Sequence, residues 1–263
     1  MTLRLLLAVA LGAALWQTPP AVPSRPRVFG IAQVSFQTSD LAKARAFYGG
    51  VLGFAEEPSG APGRAVFVVN ARQRLIIADG LPPDRDERLL NIAFDVDARP
   101  PDTADPDGHP VRFVSTSGSA DASASPDRRI SRRILHAGLT IKDPAAADRF
   151  YKDRLGFSEI WRGGRPEGTI SWINMRVPDG TDYIEYMLYP GAPPTRQQLG
   201  SAHHIALLVP DIQQALETVR ARTTPDDRNH RAVPNIGVNN RWQLNVFDPD
   251  GTRTEFMEPW TVR

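Results

Sequence analysis

The sequence predicts an α+β protein made of repeated strand-helix-strand units, paired into curved mixed sheets. Three internal repeats predict it. Residues 39–54 and 142–157 both carry F-Y-x-x-x-L-G-F, in Phe47-Tyr48 to Phe54 and in Phe150-Tyr151 to Phe157. The stretch from Asn91 to Asp97 (N-I-A-F-D-V-D) resembles that from His204 to Pro210 (H-I-A-L-L-V-P). The turn Asp105-Pro106-Asp107-Gly108 returns as Asp248-Pro249-Asp250-Gly251. Self-similarity of this kind fixes architecture before any single helix is assigned.

Each element has a local cause. Asp40 or Ser39, and Asp143 followed by Pro144, are helix starts, because a short oxygen-bearing side chain satisfies the free N–H groups of a first turn. Leu41, Ala44, Phe47, Tyr48 and Val51 recur at helical spacing, as do Ala147, Phe150, Tyr151, Arg154 and Leu155. The glycine of Leu-Gly-Phe stops each helix. Apolar runs at 31–36 and 134–141 read as the strands before them. After His204-Ile205-Ala206-Leu207, a further helix carries Ile212, Ala215, Leu216 and Val219 on one face. Each Asp-Pro-Asp-Gly is a turn into a strand. One such unit cannot bury both faces of its strands; two side by side form a curved sheet with helices outside and a concave face inside.

Composition narrows the function classes. The 263 residues carry 31 Lys plus Arg and 30 Asp plus Glu, a formal charge of +1, so no global field attracts nucleic acid or an anionic membrane. The arginine pairs at 128–129 and 132–133 read as solvated linker charge. There is no cysteine, which removes disulfides and thiolate metal sites and leaves imidazole and carboxylate as the metal donors. Residues 1–24 have the order of a signal peptide: Arg4, an apolar run from Leu5 to Trp16, then breaking residues. The expectation is export to the periplasm or outside the cell, with an uncleaved anchor as the alternative and no other span. Residues 116–130, rich in Ser, Ala, Gly and Asp, read as a linker between a lobe at 28–115 and a domain at 131–263.

The phrases F-Y-x-x-x-L-G-F, H-I-A-L-x-V and D-P-D-G-x-x-x-E resemble the signature of the vicinal oxygen chelate superfamily of glyoxalases, bleomycin resistance proteins and extradiol dioxygenases. The resemblance covers nearly all of residues 30–258. It implies paired βαβββ modules in a glyoxalase-like fold, but one fold hosts many chemistries.

In that superfamily, one metal ligand comes from the first strand of each unit and one from the last. Carried onto the second half, these slots hold His136, Glu185, His204 and Glu255. The resemblance thus implies one divalent ion, zinc, nickel, cobalt, manganese or iron(II), on two imidazoles and two carboxylates. Taken singly, either histidine would read as a packed core residue; together with two glutamates they read as ligands. Glu258 competes with Glu255, but residues three apart on a strand face opposite ways, and Glu255 fits the spacing after the turn. His203 must face away from His204 and reads as a surface or supporting residue. His230 reads as exposed.

The same slots in the first half hold Gln33, Ile76, Asn91 and Arg112, so no metal is expected there, and His109 in the turn is a poor substitute. From Asn91 to Gly108 the chain takes 17 steps, against 47 from His204 to Gly251, so about 30 residues are absent, a helix and early strands among them. The N-terminal lobe is therefore expected to be truncated and metal-free, either covering the other lobe or forming an interface such as a homodimer contact.

The expected function is a metal-dependent enzyme, a glyoxalase-like lyase or isomerase, whose small substrate chelates the ion through adjacent oxygens, with Glu255 or Glu185 as base. An extradiol-type dioxygenase with iron(II) on His136, His204 and Glu255 is one alternative; a non-catalytic small-molecule binding or resistance protein is another. Trp161, Arg162, Arg165 and Trp172 form a cluster along the chain, and Gln243 and Asn245 share a strand face. Trp172, Arg165, Gln243 and Asn245 are the expected substrate contacts, against a plainer reading of packing tryptophans and surface arginines.

Overall fold

In the computed structural model, which describes residues 25–82, 87–116, 127–189 and 191–262, the repeats become two mixed sheets. The first contains β1 (Val28–Gln37), β2 (Ala55–Glu57), β3 (Arg64–Val68), β4 (Arg74–Ala78), β5 (Leu89–Val96), β6 (Thr103–Ala104) and β7 (Pro110–Val114), in the order β2-β3-β4-β1-β5-β7-β6. The second contains β8 (Ile134–Ile141), β9 (Ser158–Gly163), β10 (Trp172–Arg176), β11 (Tyr183–Leu188), β12 (His204–Leu208), β13 (Asn235–Ile236), β14 (Arg241–Phe247) and β15 (Arg253–Thr261), in the order β13-β14-β15-β12-β8-β11-β10-β9. The central strands match: β1 lies parallel to β4 and antiparallel to β5, as β8 does to β11 and β12. The fold is α+β and glyoxalase-like, as expected. The N-terminal truncation falls where chain length placed it. Between β12 and β15 the second half has α4 (Ile212–Ala221), β13 and the seven-residue β14; between β5 and β7 the first half has only the two-residue β6.

The repeat helices differ in one respect from the expected single α-helix. α1 (Leu41–Arg45) and α2 (Pro144–Asp148) start on Asp40 and Asp143, whose side chains accept from the N–H of Lys43 and of Ala145 and Ala146. Each then widens into a π-helical turn, Ala46–Val51 and Arg149–Arg154. The N–H of Leu52 reaches the carbonyl of Phe47, and that of Leu155 the carbonyl of Phe150, five residues back. The wider turn lets adjacent residues share the core side. Phe47, Tyr48, Phe150 and Tyr151 are all buried, and each pair meets edge to face with ring centroids 4.9 Å apart. Gly53 and Gly156, at φ 79° and 78°, close both turns in the left-handed region that a side chain would strain.

The two halves lock crosswise. Tyr48 Oη donates to Asp248 Oδ2 at 3.1 Å, and Tyr151 Oη to Asp105 Oδ2 at 3.0 Å. The next aspartate of each turn does likewise: Asp250 accepts from the Ser39 N–H at 3.0 Å and Asp107 from the Lys142 N–H at 3.1 Å. Each half's helix start is thus tied to the other half's Asp-Pro-Asp-Gly turn. One apolar core runs through both, with Phe94 of β5 against Phe157 at 5.2 Å. The helix-side face of the first sheet is therefore packed within the chain.

Residues 1–24, expected to be a signal peptide, and 117–126 of the expected linker lie outside the described residues. Among the described residues no helix is long and apolar enough to cross a membrane.

Candidate metal centre

Four consecutive strands of the second sheet, in the order β11, β8, β12 and β15, each supply one donor: Glu185, His136, His204 and Glu255. Register sets them in two rows two residues apart on one face, Glu185 and His204 level with Gly138 of β8, His136 and Glu255 level with Ala206 of β12. His136 Nε2 and His204 Nε2 are 3.0 Å apart. Glu185 Oε2 lies 3.9 Å from His136 Nε2 and 3.6 Å from His204 Nε2; Glu255 Oε2 lies 4.0 Å and 3.6 Å from the same atoms. His136, Glu185 and His204 each offer one donor atom within 4.8 Å of the other two. Glu258, the competitor of Glu255, is turned away and accepts from the Ile212 N–H at the start of α4.

Gly138 makes this convergence sterically feasible. A Cβ at that position would overlap the imidazole of His204 and the carbonyl of Ala202. In the first half, register puts Ser35 where Gly138 stands, and Gln33, Ile76, Asn91 and Arg112 at the donor positions. There Gln33 Nε2 donates to Asn91 Oδ1 at 3.1 Å and to Ser35 Oγ at 2.8 Å. Neutral amides and a hydroxyl satisfy one another in place of a metal centre.

The electrostatics suit a cation. Burial drives His136 and His204 well below the usual imidazole range, reinforced by their mutual proximity at His136 and by Arg253 at His204, so both rings are neutral with a lone pair to offer. His204 Nδ1 lies 2.8 Å from the Ala202 carbonyl, which places its proton there and the lone pair on Nε2. Burial first, then the charge of Glu255, pushes the Glu185 carboxyl upward. Two buried carboxylates this close need a positive partner. Among the described residues, Glu255 Oε1 and His136 Nδ1 have no hydrogen-bond partner. Donor chemistry, spacing and an orphaned carboxylate oxygen all fit a divalent ion.

The positive group already present is Arg253, two residues before Glu255 on the same face of β15. Its Nη2 lies 2.9 Å from both His204 nitrogens, and its Nη1 lies 3.8 Å from Glu255 Oε2. Because Nδ1 donates to Ala202, only Nε2 can accept from this guanidinium. Sequence reading missed Arg253; its position at Glu255 minus two on a strand was the available signal.

The two glutamates open onto a cleft of about 300 Å³ that is also lined by Arg253 and by all four expected substrate contacts, Arg165, Trp172, Gln243 and Asn245. Trp161 joins them, whereas Arg162 turns away to pair with Glu159. Of the two alternatives the sequence left for His203, surface or supporting, the first needs correction. His203 is not on the surface: it is 1% exposed and packs against His109 and Thr140. His109, expected only to be a poor substitute for the missing first-half ligands, is buried as well. Strand parity sent His203 to the opposite face from His204, but that face is covered by the first half of the chain.

A two-module α+β fold with a His/Glu cluster in one module defines the class, and comparison with known proteins agrees. Residues 133–256 match the family model described as Glyoxalase/Bleomycin resistance protein/Dioxygenase superfamily. Uncharacterized protein YwbC of Bacillus subtilis (strain 168) is 28% identical over 129 residues, 49% of this chain and 99% of that protein. The whole chain resembles solved dioxygenases in fold. The 2,3-dioxygenase LapB from Pseudomonas sp. KL28 aligns with TM-score 0.65 and 17% identity over 89% of this chain and 93% of that one. Homoprotocatechuate 2,3-dioxygenase from Brevibacterium fuscum, complexed with 3,4-dihydroxyphenylacetate, aligns with TM-score 0.63 and 18% identity over 92% and 83%. At these identities the likeness is one of fold.

Proposed function

We propose that the protein is a divalent-metal enzyme, a glyoxalase-like lyase or isomerase, acting on a small substrate with two adjacent oxygens, and that His136, Glu185, His204 and Glu255 hold the ion. One observation carries the reading: two imidazole nitrogens and two carboxylate oxygens from four neighbouring strands converge at the wall of an open cleft. When bound, such an ion polarises a carbonyl and stabilises the oxyanion that forms on it. The chain supplies the rest. Both glutamates face the cleft, so one can remain bound while the other takes a proton from a carbon beside the carbonyl. Trp161 and Trp172 offer flat apolar walls, and Arg165, Gln243 and Asn245 offer polar contacts that would orient the substrate.

The reading goes with export directed by residues 1–24. Outside the cytosol the glutathione pool is out of reach, so the substrate would not be a glutathione adduct.

The test is metal content of the purified protein beside H204A, by plasma mass spectrometry. Loss of a metal equivalent in H204A supports the site; unchanged content overturns it. A second reading, an extradiol-type dioxygenase with iron(II) on His136, His204 and Glu255, is favoured by the likeness of both modules, and not the second alone, to ring-cleaving enzymes. Oxygen uptake with a catechol under iron(II) loading would select it over the lyase reading; turnover without oxygen would exclude it.

A further inference from the structure

A second set of donors lies at the seam between the two halves. His109 follows the first Asp-Pro-Asp-Gly turn, His203 ends α3 (Arg196–Ala202), and Glu87 precedes β5. Each offers one donor atom within 4.8 Å of the other two. His109 Nε2 and His203 Nε2 are 3.1 Å apart, close to the 3.0 Å between His136 and His204. Two imidazole nitrogens each about 2.0–2.1 Å from a zinc ion stand a little over 3 Å apart. The tautomer of His109 is also set for ligation. His109 Nδ1 lies 2.8 Å from Asp105 Oδ2, and that carboxylate is itself anchored by Tyr151 Oη and by the His109 N–H. The ring proton of His109 is thus held on Nδ1 and the lone pair faces His203, the carboxylate-histidine arrangement that orients metal ligands. His203 turns Nε2 towards His109, and its Nδ1 has no hydrogen-bond partner among the described residues. Thr140 Oγ1, 2.9 Å from His203 Nε2 and 3.2 Å from His109 Nε2, flanks the pair.

We propose that Glu87, His109 and His203 form a second, structural metal site that takes a borderline divalent ion such as zinc and clips the two halves together. Glu87 and Asp105 bring two negative charges to balance the ion, and both rings are almost fully buried, His109 at 2% exposure and His203 at 1%. His203 and His204 are adjacent and face opposite ways, so an ion on His203 also fixes the strand that presents His204 to His136, Glu185 and Glu255. The site is independent of the proposed catalytic one, and its test is built to stay so. The double variant H136A/E255Q, which disables the first site, is titrated with zinc(II) against a chelator. One ion per chain is expected to remain bound, with affinity weakened at least about tenfold by adding E87Q, the loss expected even for a residue that merely positions a ligand, and abolished by adding H203Q. Glu87 is half-buried in a loop, so E87Q leaves the core intact and keeps the result readable if H203Q unfolds. Failure of H136A/E255Q to bind zinc, or binding unchanged by E87Q and H203Q, overturns the second site and leaves the first untouched.

Discussion

Tyr48 and Asp248 stand 200 residues apart in sequence and share a buried hydrogen bond of 3.1 Å, which Tyr151 and Asp105 reproduce in the opposite sense. Both hydroxyls are fully buried and both acceptors are turn carboxylates, so removing either donor leaves a buried oxygen short of a partner. Y48F and Y151F are each expected to lower unfolding free energy by about 1.5–3 kcal/mol, measured by urea denaturation. Because each bond joins the two halves, both halves should unfold in one transition in the wild type. A variant losing less than about 0.5 kcal/mol would show that solvent replaces the phenol.

Asp248 also sets a pH dependence. Burial pushes its carboxyl from 3.8 up to about 6, against the hydrogen bonds from Thr252 and Tyr48. The folded state therefore holds a proton that the unfolded chain releases near pH 3.8. The stability this residue contributes is greatest below that pH and falls as pH rises to about 6, by roughly 2–3 kcal/mol. D248N, which keeps an oxygen for the turn N–H groups, should flatten that slope. The check is the difference between wild-type and D248N denaturation midpoints across pH 4–7; parallel curves would contradict it.

Gly138 sets the space for the imidazole of His204. G138A should displace that ring and lower metal affinity by about 10- to 100-fold, while overpacking costs about 1–3 kcal/mol of stability. Metal content and thermal unfolding of one preparation separate the two effects. Ser35 at the equivalent place in β1 shows that the strand itself accepts a side chain there once asparagine replaces histidine across from it.

Arg253 competes with a bound ion for His204 Nε2 and for the charge of Glu255. R253Q is expected to bind metal about tenfold more tightly, by relief of about 1.4 kcal/mol of repulsion in a partly solvated site. Chelator competition measures it. Weaker binding would instead mean that Arg253 holds Glu255 in place.

Much of this was legible in the chain. The F-Y-x-x-x-L-G-F repeats and the Asp-Pro-Asp-Gly turns gave two modules, because capping, glycine stops and strand alternation are local. The shortfall of about 30 residues between Asn91 and Gly108 marked where the first half lacks α4. The set His136, Glu185, His204 and Glu255 was expected from resemblance, with strand parity choosing Glu255 over Glu258. What escaped depends on docking. Parity turned His203 away from His204 but could not say that His109 would meet it, since that needs the packing of one half on the other. The π-helical turns escaped because Phe47 and Tyr48 are also compatible with an ordinary helix. Arg253 escaped because a strand arginine usually reaches solvent.

The four donors sit on four adjacent strands. In a flat sheet, strands about 4.8 Å apart would spread such a set over roughly 14 Å. Here one oxygen of each carboxylate, Oε2, lies within 4.0 Å of both imidazole Nε2 atoms. The curl of the second sheet supplies the difference, so affinity for the ion is a mechanical readout of sheet curvature. A substitution that merely relaxed the bend, far from any donor and with every donor intact, would dissolve the centre as surely as cutting away a histidine.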